Sequence, residues 1–326
     1  MKKHIIAGLA IASALALTAT GCASGGGGDA GAGGGDELIT VGFAQTGSES
    51  GWRSANTESM KAAFSEENGF ELIFNAADNK QEAQIAAVRS FINQGVDAIV
   101  IAPITVDGWD DVLKEAQDAG IPVILEDRTV SASDDLYASW VGLDFELEGE
   151  LAGEWVAENF DGKAANLVIL EGTTGSSAAL DRATGFATAT EGTDITVLDS
   201  QTGDFTRDGG KKVMEGYLQK YGADIDVLFA HNDDMGLGAL DAIKAAGLVP
   251  GVDIQIVTID AVKDGMTALA AGEFNFIVEC NPLLGEKAAE LVKAVVAGET
   301  VDKRTIVVDQ TFTPEQAAEV LDSRPY

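Results

Sequence analysis

The sequence predicts an α/β fold of two similar lobes, each a parallel sheet flanked by helices, joined by a hinge of three chain crossings. Short β-branched runs alternate with helix-period segments from Leu38 onward, which is the grammar of βαβ units. Runs such as Ala98-Ile99-Val100-Ile101 are apolar without alternation, as strands covered on both faces are. The same grammar restarts after a break near Gly142, and about 290 residues from Glu37 onward suffice for two compact lobes.

In chain order the first half reads as strand 38–44, a helix including 60–68, strand 70–75, helix 80–94, strand 98–102, helix 109–119 and strand 123–125. Gly95 and Gly120 stop the two helices before them, because glycine tolerates the left-handed conformation that ends a helix. The second half reads as helix 146–159, strand 166–170, helix 178–190, strand 195–200, helix 207–221, strand 227–230, helix 235–246 and strand 255–259. A strand at 274–279, a helix at 282–297 and a short strand at 305–308 remain. They must join sheets already formed, so the chain crosses between lobes three times. The expected boundaries are 37–142 plus 261–291 for the N-terminal lobe and 143–260 plus 292–326 for the C-terminal lobe.

Ahead of the lobes, Lys2 and Lys3 precede an apolar run at 5–19 and then Thr20-Gly21-Cys22. A basic end, a hydrophobic middle and small residues before a cut are the layout of a secretory signal, expected over 1–21. The run is shorter than the roughly 20 residues that cross a bilayer comfortably. Cys22 resembles the lipid-modified cysteine of bacterial lipoproteins, although Ala19 stands where that pattern usually has Leu. The Gly-rich stretch after it, 22–36 with Cys22 itself, cannot bury enough to fold and reads as a tether. The protein is therefore expected outside the cytoplasm, anchored to the cell membrane at Cys22.

The formal charge is −32, and removing Lys2 and Lys3 leaves 19 basic against 53 acidic residues. Such a field repels nucleic acid and anionic ligands. With Cys22 carrying lipid, Cys280 has no partner, and the fold does not depend on disulfides. His4 lies in the leader, so His231 stands alone and cannot build a His-rich metal site; it reads as structural. Gly-x-Ser-x-Gly does not occur, and Cys280 has no evident His partner, so Cys280 reads as a buried thiol. No catalysis, cofactor or metal is expected.

In parallel α/β sheets ligands gather beyond the carboxyl ends of strands. Those positions here hold many Asp, Asn and Arg residues with Trp52, Trp109 and Phe205. Carboxylates, amides and guanidiniums each engage neighbouring hydroxyls, and an aromatic face covers the C–H side of a sugar ring. Alternatives stay open: Asp127 and Arg128 as a surface ion pair, Trp52 as core, Arg182 as a solvated helix residue. Asp260, closing the apolar run Ile256-Val257-Thr258-Ile259, needs a partner wherever it points.

The strings Val41-Gly42-Phe43-Ala44-Gln45, Gly47 to Arg53, Gln94-Gly95-Val96-Asp97-Ala98-Ile99, Asp181-Arg182, Ser200 to Arg207 and His231-Asn232-Asp233-Asp234-Met235 carry a family likeness. The chain resembles the periplasmic sugar-binding proteins of the ribose- and galactose-binding group, type I fold, and within it the galactofuranose-binding branch. That resemblance implies a monomeric solute receptor that presents a monosaccharide to an ABC permease with its ATPase. It implies sugar contacts from Trp52, Arg53, Asp127 and Arg128 in the first lobe and Arg182, Phe205 and Asn232 in the second. Asp260 is implied at a crossing and Glu279 in the returning segment, where ribose binders have Gln. A sensor of the same fold, a receptor for galactopyranose or a pentose, and a secreted sugar hydrolase are the alternatives.

Overall fold

The computed structural model describes residues 38–326. The leader, Cys22 and the Gly-rich stretch lie outside the described residues. The first sheet is built from β1 (Ile39–Gln45), α1 (Gly51–Ala63), β2 (Phe70–Ala76), α2 (Gln81–Gln94), β3 (Ala98–Ile101), α3 (Asp110–Asp118), β4 (Val123–Asp127) and β5 (Ser139–Gly142). The second begins with α4 (Phe145–Asn159), β6 (Ala165–Glu171), α5 (Ser177–Ala189), β7 (Ile195–Thr202), α6 (Arg207–Tyr221), β8 (Val227–Ala230), α7 (Asp233–Ala245), β9 (Gln255–Asp260), α8 (Lys263–Ala270) and β10 (Phe276–Glu279). The chain closes with α9 (Gly285–Val296), β11 (Arg304–Ile306), β12 (Thr311–Phe312) and α10 (Pro314–Val320).

The two sheets run β11-β5-β4-β3-β1-β2 and β12-β10-β9-β8-β6-β7. Every pairing within them is parallel except that of β10 with β12. The strand triplet β2-β1-β3 is repeated as β7-β6-β8, so the lobes share one plan. In each, the chain reverses direction across the sheet beside the first strand, and that switch point opens a crevice at the strand carboxyl ends. Residues of β3, β4 and β8 are buried throughout, which explains the unbroken apolar runs of β3 and β8 and of Val123-Ile124-Leu125 in β4.

Three crossings join the lobes, as expected, at β5 to α4, β10 to α9, and β11 to β12. Their positions correct the expected boundaries. Segment 261–284 was expected in the first lobe, yet β10 pairs in parallel with β9 and so keeps α8 in the second. Helix α9 carries Ala288 and Val292 into the first lobe's core, and β11 pairs with β5, so 285–306 belongs to the first lobe. The physical reason is local. A parallel strand that follows its neighbour through one helix completes a right-handed βαβ unit without leaving the sheet. Short elements β5, α8, β12 and α10 were not foreseen, being too brief for a clear period.

Candidate sugar-binding site

The carboxyl ends of the two sheets face one another across a narrow gap. It is lined by Glu49, Ser50, Trp52, Arg53, Asp127, Arg128, Phe145, Ala178, Arg182, Phe205, Asn232, Asp260 and Cys280. Eight of the nine expected sugar-contact residues are among these, each no more than 5% exposed. The lips of the gap meet directly. Val106 N donates to Gly175 O at 2.9 Å, Thr129 N to Ser177 Oγ at 3.0 Å, and Gly51 N to Asp234 Oδ2 at 2.6 Å. The structure is thus the closed form of the two lobes.

From the first lobe, the Ser50 hydroxyl caps α1 by accepting from Arg53 N at 3.1 Å, which fixes the turn that carries Trp52 and Arg53. Trp52 donates from Nε1 to the Cys280 carbonyl at 2.5 Å and packs into the second lobe's apolar cluster. It is therefore at once a wall of the gap and a core residue. Arg53 Nη2 donates to Asp127 Oδ2 at 2.6 Å and its Nε to Glu49 Oε1 at 3.2 Å. Asp127 ends β4 at φ 61°, a conformation costly for a non-glycine residue and held here by the Trp140 indole on its carbonyl. Arg128 lies 3.8 Å from both Glu49 and Asp127 and donates to Ile104 O at 3.3 Å.

From the second lobe, Arg182 on α5 donates from Nε to Glu148 Oε2 at 2.7 Å, donates from Nη1 to the His231 carbonyl, and sets Nη2 3.9 Å from Asp260 Oδ1. Phe205, at φ 61°, lays its ring over Gly172 at the end of β6. A Cβ there would fall 1.9 Å from the ring, so only glycine fits. Arg128 and Arg182 stand 5.1 and 6.0 Å from the Phe205 ring centre. Asn232 caps α7 through Oδ1 to Met235 N at 3.0 Å and holds the Phe205 carbonyl through Nδ2 at 3.1 Å. Its visible bonds shape the gap's wall.

Glu279 departs from expectation. It does not line the gap but turns to Arg324 Nη1 at 2.6 Å and the Tyr326 hydroxyl at 2.7 Å. Its strand position, in register with Asp260, placed it beside the gap, but Arg324 and Tyr326 take up its carboxylate. Asp260 likewise is not at a crossing; it ends β9, next to the crossing at Cys280, whose N–H donates to its carbonyl at 3.2 Å. Trp109 is in the core and donates to Thr105 O at 2.8 Å. His231 is buried, with its pKa driven to about 3 by burial and then by the Arg182 charge, which fits the structural role expected of it. Glu49 and Phe145 also line the gap without having been named as contacts; their signal in the sequence was lying four and three residues beyond the ends of β1 and β5.

Three guanidiniums, of Arg53, Arg128 and Arg182, share the gap with three carboxyl groups, of Glu49, Asp127 and Asp260. Burial would raise Glu49, but Arg53 and Arg128 outweigh it and hold the carboxyl below its ordinary range. Burial, then the neighbouring Arg53 charge, lowers Arg128 to about 10. Burial carries Asp260 well upward against the opposing pull of Arg182. Glu49 Oε2, Arg53 Nη1, Arg128 Nε and Asp260 Oδ2 are buried with no partner among the described residues. Acceptors and donors therefore converge on one space, and buried polar atoms of this kind are costly until bonded.

The family model for the periplasmic binding protein domain matches residues 41–300. The chain belongs to that family. It is 46% identical over 291 residues to the galactofuranose-binding protein of Escherichia coli, covering 88% of this chain and 91% of that one. A Mycobacterium smegmatis protein solved in complex with β-D-fucofuranose is 53% identical, with a TM-score of 0.86 over 89% of this chain and 96% of its own. The binding protein of the arabinose ABC transporter of Shewanella, solved with arabinofuranose, is 44% identical, with a TM-score of 0.84 over 88% of this chain and 95% of its own. As a member of this family the chain is an extracytoplasmic solute-binding protein.

Proposed function

We propose that this protein is the receptor of an ABC sugar importer and that its ligand is a monosaccharide in the furanose form, galactofuranose being the first choice. The observation that carries this reading is the set of unpartnered buried donors and acceptors around a gap lined by as many guanidiniums as carboxyl groups. Hydroxyls donate to Glu49, Asp127 and Asp260 and accept from Arg53, Arg128 and Arg182, while the Trp52, Phe145 and Phe205 faces cover C–H surface. A neutral polyol satisfies both signs at once, whereas an anion would upset the balance. The furanose preference comes from the named ligands of the three similar proteins.

Binding needs no bond chemistry. Sugar docks on one lobe of the open form, the other lobe adds its contacts, and the population shifts to the closed form that a permease recognises. Lipid on Cys22 would keep the receptor beside its permease and ATPase, and the Gly-rich tether would leave both lobes free to move. The test is calorimetry with galactose, fucose, arabinose, ribose and xylose, with NMR of the released sugar to read ring form. Asp127→Ala should weaken binding by about one to two decades, through loss of a charge-assisted bond of about 1.5–3 kcal/mol. Heat from ribose or xylose alone, or an Asp127→Ala variant that binds like the parent, would overturn the reading. Intact mass of the membrane-extracted protein tests Cys22.

A further inference from the structure

Arg324, in the segment after α10, joins the ends of the two strands that lead to the gap and to the hinge. Its Nη1 donates to Glu279 Oε1 at 2.6 Å and its Nη2 to the Ala261 carbonyl at 2.8 Å. Glu279 is the last residue of β10, immediately before the crossing; Ala261 follows Asp260, the last residue of β9. Asp260 and Ala261 hold φ of 134° and 63°, and neither is glycine. Residues keep such conformations only where the surroundings over-determine them. The surroundings here are three: Cys280 N on the Asp260 carbonyl at 3.2 Å, Asp233 Oδ2 on Val262 N at 2.9 Å, and Arg324 on the carbonyl between.

Tyr326 adds a second donor to Glu279 Oε1 at 2.7 Å, and the Arg324 guanidinium stacks 4.4 Å from the Tyr326 ring and 5.3 Å from Phe312. The ion pair is therefore largely shielded from water, with Glu279 buried and Arg324 flanked by two aromatic rings. We propose that Arg324 is a positioning residue for ligand binding: by tying Ala261 to Glu279 it holds Asp260 at the angle from which its carboxylate faces the gap and Arg182. It touches no ligand itself. This rests on the reading of the gap as the sugar site.

The test compares Arg324→Gln, Asp260→Asn and the double variant of the full chain, titrated calorimetrically with L-arabinose and D-galactose, beside thermal unfolding without sugar. Arg324→Gln should weaken binding about tenfold, and Asp260→Asn at least as much. Because one residue acts through the other, the double variant should bind within about twofold of Asp260→Asn alone. Arg324→Lys, which keeps the charge but not the fork, should fall between parent and Arg324→Gln. Additive losses in the double variant, or a lowered melting temperature with unchanged affinity, would show a merely structural role and overturn the proposal. An Asp260→Asn variant that binds like the parent would remove Asp260 from the site and the proposal with it. Failure of Asp127→Ala to weaken binding would instead strike the site as a whole. Should Arg324→Gln not fold, Glu279→Gln carries the same cycle, with a loss of about threefold expected.

Discussion

Arg182 Nε donates to Glu148 Oε2 at 2.7 Å, and the two side chains are 3% and 1% exposed. The pair joins α4 to α5 directly behind the gap, so the guanidinium that faces Asp260 is held from its far side. Burial raises Glu148 to about 7, against the opposing pull of Arg182. Arg182 stays charged because Glu148, with Asp260 farther off, outweighs the burial that would lower it.

Glu148→Ala should therefore destabilise the protein by about 3–5 kcal/mol, since it leaves a buried guanidinium without its carboxylate. Glu148→Gln keeps an acceptor for Nε and should cost less. Chemical denaturation reads both, and sugar titration should show the larger affinity loss in the alanine variant. Equal stability of the alanine variant and the parent would mean that the pair does not hold Arg182.

Asp309, in the crossing from β11 to β12, accepts from Asn281 N at 3.0 Å. Burial, then the charge of Glu148 and also of Glu279, raises its pKa to about 9, with Arg182 and the Asn281 N–H pulling the other way. Its native pKa lies above its unfolded one. The stability it contributes is fully present below its ordinary value of 3.8 and is lost as pH rises through about 9. The loss is at most about 1.4 kcal/mol for each pH unit in which only the native group stays protonated. Asp309→Asn mimics the protonated acid, so it should melt about 2–6 °C above the parent at pH 8.5 and close to it at pH 4. Melting curves that run parallel at all pH values would contradict this.

Helices α4 and α5 approach closely because glycines stand at the contact. A Cβ on Gly185 would fall 1.9 Å from the Glu146 carbonyl, and one on Gly149 2.2 Å from that of Arg182. Gly185→Ala must push the helices apart, at a cost of about 1–3 kcal/mol. Because α5 carries Arg182, sugar affinity should fall with stability, unlike for an alanine placed at exposed Gly216, which has open space around it. Calorimetry on the two alanine variants separates these outcomes.

Strand and helix alternation made the two lobes legible in the sequence, because a both-face-covered strand must be apolar throughout and Ala98-Ile99-Val100-Ile101 is. The ends of such strands are where ligand groups emerge, so the segments that hold Arg53, Asp127, Arg128, Phe205 and Asp260 could be marked before their neighbours across the gap were visible, and the family resemblance picked the residues within them. Glu279 met the same rule and still points elsewhere. Strand position tells which end of the sheet a residue occupies; it does not tell which partner, ligand or Arg324, captures the side chain.

Three matters were thus determined by the sequence itself: the two-lobe α/β plan, a hinge of three crossings, and a gap rich in acids and guanidiniums. Local periodicity and composition encode these, since each element's burial is written in its own few residues. Only the tertiary structure decided where the crossings fall, that Trp52 serves core and gap together, and that Glu279 anchors Arg324. Those outcomes depend on contacts between residues far apart in the chain, Trp52 with Cys280 and Glu279 with Arg324. Such contacts form only when packing brings their strands and helices together.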